Sequence, residues 1–164
     1  MMTQATPSVH ASAVLVGAFA VLIRGPSGAG KSRLAFDLIL AARAGQIAAS
    51  TLVGDDRVML EARENALLVR PAPELAGLIE IRGLGLRQIT HAAEAQVGLV
   101  VDLAADDAAR LPQPESQEIV ISGVTLPRIA VPTGYTALPL VVASLITRDA
   151  LGPAASRRLP EGIL

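Results

Sequence analysis

Residues Gly25-Pro26-Ser27-Gly28-Ala29-Gly30-Lys31-Ser32 fit the pattern G-x-x-x-x-G-K-[ST] without a mismatch. No other segment restricts the fold as much, because this one works only as the turn between a strand and a helix. The apolar run Val21-Leu22-Ile23 leads into it, and Leu34, Leu38, Ile39 and Ala42 follow it at helical spacing. Gly25, Gly28 and Gly30 admit positive φ and let the backbone come close to a ligand. Amides of the loop and of the helix N-terminus then face the α- and β-phosphates of a nucleotide. Lys31, a compact ammonium on a long stem, reaches the β/γ oxygens, and Ser32 offers a hydroxyl to Mg²⁺. Lys31 is the only lysine of the chain, every other basic side chain being arginine. A chain that avoids lysine elsewhere keeps one where an ammonium is the usual choice. The segment implies ATP or another nucleoside triphosphate, with Mg²⁺, as ligand.

The 164 residues suit one domain, with a core over 9–151 and a flexible tail at 153–164. Hydrophobic residues reach 51% and aromatics only 2%, so that core must be built of Ala, Val, Leu and Ile. A net charge of −1 gives no electrostatic footprint for nucleic acid or an anionic membrane. Cysteine is absent, which excludes disulfides, thiolate metal sites and a cysteine nucleophile and fits a cytoplasmic protein. The apolar stretch from Ala13 to Ile23 is too short to span a bilayer and has no basic n-region ahead of it. It reads instead as two strands, 13–16 and 19–24.

Further along, residues 31–43 read as a helix stopped at Gly45, and Thr51-Leu52-Val53 as a short strand ending at Gly54-Asp55-Asp56. Residues 57–60 and 66–70 form two strands around Arg63-Glu64-Asn65. Another strand, 78–82, closes at Gly83-Leu84-Gly85, and the apolar run 97–103 reads as a central strand. Residues 106–118 form a loop, 118–122 and 126–131 are strands around Gly123, and 137–151 is a helix stopped by Gly152-Pro153. The expected fold is α/β: a mixed, mostly β sheet around one phosphate loop and its helix.

Among the acids, Asp55 and Asp56 directly follow a short apolar strand. An acid at the end of a strand beside the phosphate-loop strand binds Mg²⁺ or orients a nucleophile in many nucleotide-binding proteins; a polar turn is the alternative. Alternation in Ile79-Glu80-Ile81-Arg82 places Glu80 and Arg82 on one face, as an exposed ion pair. Asp102, Asp106 and Asp107 read as solvated charges. His10 and His91 have no metal-ligand spacing, and pattern alone makes both structural.

Taken together, four segments resemble the HPr kinase/phosphorylase family, in the catalytic domain and in the short form lacking the N-terminal domain. They are Gly25–Ser32 with His10 upstream; Leu52-Val53-Gly54-Asp55-Asp56-Arg57-Val58, close to the family's A-D-D-R-V; Ile79-Glu80-Ile81-Arg82-Gly83-Leu84-Gly85-Leu86, nearly identical to its E-I-R-G-L-G signature; and Leu126-Pro127-Arg128-Ile129-Ala130-Val131-Pro132, similar to its P-[KR]-I-x-V-P strand. The resemblance implies a phosphate-loop kinase fold of the HPr kinase / PEP carboxykinase-like type. It implies transfer of the ATP γ-phosphoryl to a serine of HPr, a small phosphocarrier protein of phosphotransferase systems, and the reverse phosphorolysis. It places the catalytic acid/base on Asp55 or Asp56, the Mg²⁺ ligands on Ser32 and Glu80, an active-site histidine on His10 and an active-site arginine on Arg110. It also implies a homo-oligomer, a hexamer in the family. After Val131-Pro132 the family's basic stretch is replaced by Thr133-Gly134-Tyr135-Thr136. The competing readings are a small-molecule phosphate-loop kinase and an ATP-sensing module without transfer. A GTPase is disfavoured, because its N-K-x-D motif needs a second lysine.

Overall fold

The computed structural model describes residues 7–150, so the expected tail at 153–164 lies outside them. Ten strands and two α-helices make up the fold: β1 (Ser8–Val16), β2 (Phe19–Arg24), α1 (Lys31–Arg43), β3 (Ser50–Gly54), β4 (Arg57–Arg63), β5 (Ala66–Pro71), β6 (Leu78–Ile81), β7 (Gly85–Gln88), β8 (Ala95–Asp102), β9 (Glu118–Ile121), β10 (Val124–Ala130) and α2 (Ala137–Ile146). No helix among the described residues is long and apolar enough to cross a membrane.

The sheet turns back on itself. Antiparallel pairings run from β2 to β1, β4, β5 and β8, and a parallel pairing of β8 with β2 closes the circuit. Such a small ring has little room inside, and Ala11, Ala13, Ala20 and Ala95 line it beside Leu22, Val69 and Val100. This is where the alanine-rich, aromatic-poor composition goes. The expectation was a mixed sheet, without its closure, which rests on pairings between distant segments that leave no local pattern.

On the other face of β1, β2 and β8, α1 packs through Leu34, Ala35, Leu38 and Ile39 against Val14, Val21, Ile23, Leu52 and Val101, with Val141 and Leu145 of α2 in the same core. Across this layer β3 pairs antiparallel with β1, β1 antiparallel with β2, and β2, β8 and β10 run parallel. So β3, β2, β8 and β10 all point the same way, and their C-terminal ends share one edge. In α/β sheets that edge is where ligands bind. Glycine loop, Asp55 and Asp102 all stand there.

Several boundaries differ from expectation: β1 begins at Ser8 and not at 13, β4 runs on to Arg63, and β8 and β10 each begin two residues early. β6 does not end the chain's local pairing: Gly83-Leu84 turns it into β7, and this hairpin forms a separate two-stranded sheet. The β7 side chains are all exposed, so burial imposed no pattern on them. Arg82 lies in the turn and not on the strand face, and Glu80 forms no ion pair with it. Helix α2 stops at Ile146 because Thr147 adopts an extended backbone and its hydroxyl bonds back to the Ala143 carbonyl. The expected stop at Gly152-Pro153 lies outside the described residues.

Candidate nucleotide and metal site

The turn after β2 owes its shape to two glycines. Gly25 packs so closely that a Cβ would sit 3.0 Å from the Leu103 Cβ, and Gly30 holds φ at 102° to start α1. No side chain caps the helix at Gly30, which leaves the first-turn amides to the loop mouth. Lys31 opens the helix and is only 8% exposed. Its Nζ donates to the carbonyls of Gly25 at 2.8 Å and Pro26 at 3.1 Å. No carboxylate among the described residues pairs with it, so this buried ammonium is held by dipoles alone. Pro26, Ser27 and Gly28 are exposed at the tip, with Ala29 half-buried beneath them.

The adjacent Ser32 donates its hydroxyl to Asp55, at 2.8 Å from Oδ1 and 2.9 Å from Oδ2. Asp55 is 3% exposed and takes two more donors: the Ser12 hydroxyl at 2.7 Å and the Glu80 amide at 3.0 Å. One carboxylate thus ties together β1, α1, the end of β3 and β6. Contrary to the sequence expectation, β3 does not adjoin β2. β1 lies between them, and Ser12 fills the gap that Asp55 must cross. Ser12 gave no signal as a polar residue flanked by alanines.

Asp56 turns the other way. Its side chain is 57% exposed, its φ is 67°, and its Oδ1 lies 3.7 Å from His10 Nδ1. The Arg57 Nη2 stands 3.2 Å from His10 Nε2. Arginine can only donate, so Nε2 accepts and the ring proton sits on Nδ1, towards Asp56. Glu80 contributes its amide to Asp55, while its exposed carboxylate makes no ion pair among the described residues. Arg110 is exposed in the loop after β8 and forms no hydrogen bond or ion pair with the other expected site residues. His91, expected to be structural, bridges to Leu52 and packs over Gly77.

A second cluster was misjudged from sequence. Asp102 is not a solvated charge: Arg24 grips both its oxygens at 2.8 and 2.9 Å, and Arg128 Nε reaches Oδ2 at 2.6 Å. Arg128 also holds Asp107 at 2.7 and 3.0 Å and the Ser116 carbonyl at 3.0 Å. Burial pushes the Asp102 pKa up, but hydrogen bonds and charge from Arg24 and Arg128 outweigh it and hold the carboxyl below the usual range. The hydrogen bond from Arg128 likewise lowers Asp107. The cluster ties the residue before Gly25 to the loop that carries Arg110.

No group of three or more His, Asp or Glu side chains among the described residues is placed to hold a metal. The Ser32 hydroxyl oxygen and the exposed Glu80 carboxylate still fit Mg²⁺, which takes oxygen donors and one or two carboxylates, completing its shell with nucleotide phosphates and water.

Strand, glycine turn and helix at the shared strand edge make this a mixed α/β domain with a candidate site at that edge. The family model for the HPr Serine kinase C-terminal domain matches residues 2–146, and the chain belongs to that family. Similar curated proteins are named HPr kinase/phosphorylase. The protein from Mycoplasma mycoides subsp. mycoides is 34% identical over 140 residues, covering 77% of this chain and 42% of the relative. The protein from Streptococcus pyogenes serotype M1 is 33% identical over 156 residues, covering 87% of this chain and 48% of the relative. The chain thus spans less than half the length of these relatives. A solved structure, the Hpr(Ser) kinase/phosphatase from Coxiella burnetii, superposes with a TM-score of 0.65 at 25% identity, covering 84% of this chain and 87% of that one.

Proposed function

We propose that this chain moves the γ-phosphoryl group of ATP onto a serine of an HPr-type phosphocarrier protein. The observation that carries the reading is Lys31, a buried ammonium held inside the glycine turn by two carbonyls, with no carboxylate competing for its charge. Phosphate oxygens placed there would meet an ammonium that no carboxylate among the described residues neutralises. The names of the relatives point to the acceptor.

Gly25–Ser32 cradle the phosphates, and Lys31 meets the β/γ oxygens. Ser32 donates its hydroxyl hydrogen bond to Asp55, which leaves its oxygen lone pairs facing a cation. Ser32 and the carboxylate of Glu80 would hold Mg²⁺, with Asp55 orienting Ser32 from behind; the ion when bound neutralises charge on the transferring phosphoryl group. The different burial of the two aspartates supports a division of labour. Asp55 is occupied by three internal donors, so its task is to orient. Asp56 is open to a partner's hydroxyl and takes the serine proton as the oxygen attacks phosphorus. His10 steadies Asp56 from β1. Arg110 would have to swing in with its loop to touch a phosphate. In reverse, protonated Asp56 returns its proton to the leaving serine oxygen while inorganic phosphate attacks, giving serine and pyrophosphate. The substituted stretch Thr133–Thr136 makes this direction the weaker one. The site is proposed to work in the cytoplasm, within a homo-oligomer.

Purified protein incubated with labelled ATP, Mg²⁺ and an HPr-type phosphocarrier should yield acid-stable phosphoserine. ATP binding without transfer would instead identify a nucleotide-sensing module and end the kinase reading.

A further inference from the structure

We infer that Ser12 is a positioning residue for the Asp55-Asp56 pair, a role that rests on the kinase reading above. Its hydroxyl is fully buried, at 0% exposure, on the strand that separates β3 from β2. It donates to Asp55 Oδ1 at 2.7 Å, and the same oxygen receives the Asp56 amide at 3.5 Å. One side chain therefore touches both aspartates by different means.

The two contacts have separate effects. Asp55 Oδ1 is shared by Ser12 and Ser32, while Oδ2 is shared by Ser32 and the Glu80 amide. Without the Ser12 donor the carboxylate loses one of the bonds that fix its plane, and the direction of the Ser32 lone pairs loosens with it. The second contact supports a strained backbone. A non-glycine residue in the left-handed region costs roughly 1–2 kcal/mol, and Asp56 has φ 67°. The Ser12 oxygen accepts its amide at the point where the chain makes that turn. His10 is two residues earlier on the same strand, hence on the same face, so β1 meets Asp56 with two residues and Asp55 with Ser12. A site whose only task was packing would favour alanine, as at Ala11 and Ala13, since a buried hydroxyl must be bonded to be tolerated.

Ser12→Ala tests this through ATP binding with and without Mg²⁺, measured by calorimetry, and through kcat for phosphoserine formation. Metal-free ATP affinity should stay within about twofold, while the gain in affinity on adding Mg²⁺ falls about five- to tenfold. The kcat should drop about tenfold or more. In an Asp55→Asn background the same substitution should change Mg·ATP affinity by less than about twofold, since its route is through Asp55. Ser12→Thr keeps the hydroxyl on a strand-compatible side chain and should restore the Mg²⁺-dependent gain. An equal loss with and without Mg²⁺, the same loss in the Asp55→Asn background, or no rescue by threonine would reduce Ser12 to a packing residue and overturn the inference. The binding comparison does not need phosphoryl transfer. A protein that binds Mg·ATP but transfers nothing ends the kinase reading and still decides the place of Ser12.

Discussion

Lys31 and the two aspartates make separable demands on the site. Replacing Lys31 by methionine keeps the stem but removes the charge, and kcat/KM for transfer should fall by roughly a hundredfold or more. The fold should survive, because the ammonium is bonded only to loop carbonyls. For the aspartates the expected split is sharper. Asp56→Asn should lower kcat by about 10²–10⁴-fold, the usual worth of a general base, while Mg·ATP affinity changes little. Asp55→Asn should weaken Mg·ATP binding and stability together, since three donors converge on that one buried carboxylate. Equal effects of the two substitutions on binding and turnover would remove the division of labour. Sequence gave both residues the same standing because they adjoin; only the backbone twist at Asp56 sends their side chains to different neighbours.

At the strand ends, Arg24 on β2, Asp102 on β8 and Arg128 on β10 form a clamp across three parallel strands. Because the Asp102 pKa is lowered by folding, its contribution is fully present above its unfolded value of 3.8 and is lost as pH falls through the lower folded value. At neutral pH, Asp102→Asn should cost about 1–2 kcal/mol, between the worth of an exposed and a buried pair. Denaturant unfolding followed from neutral to strongly acidic pH should show the gap between wild type and variant closing in acid. A gap independent of pH would mean the clamp contributes shape but no charge. Element positions were largely legible beforehand: α1 and β2 fall where periodicity and turn residues place them, β5 within a residue, and β4 starts as expected but runs three residues longer. The clamp was not, because an aspartate ending a strand before a polar loop looks the same whether solvent or an arginine from a distant strand receives it. β7 was invisible for the complementary reason, since both its faces are exposed.

For the molecule as a whole, the glycine loop is a place where ligand binding and folding meet. At a hundred times its Kd, Mg·ATP should stabilise the native state by about 2.7 kcal/mol. For a domain of this size that is a rise in melting temperature of roughly 5–11 °C, and Lys31→Met should abolish most of it. Motifs announced this site from sequence because their chemistry is local; the closed strand ring was silent because its pairings join remote segments. That remoteness has a consequence for how the protein comes into being. The loop rests on Leu103, whose amide bonds the Arg24 carbonyl, and Arg24 meets Asp102 across 78 residues of chain. A nascent chain that has just emerged with its glycine motif complete has no floor under it. High contact order makes such long closures slow, so nucleotide retention should begin only after β8 has been synthesised and docked. On the proposed function, ATP binding would then report global folding, although its most visible determinant is eight residues long.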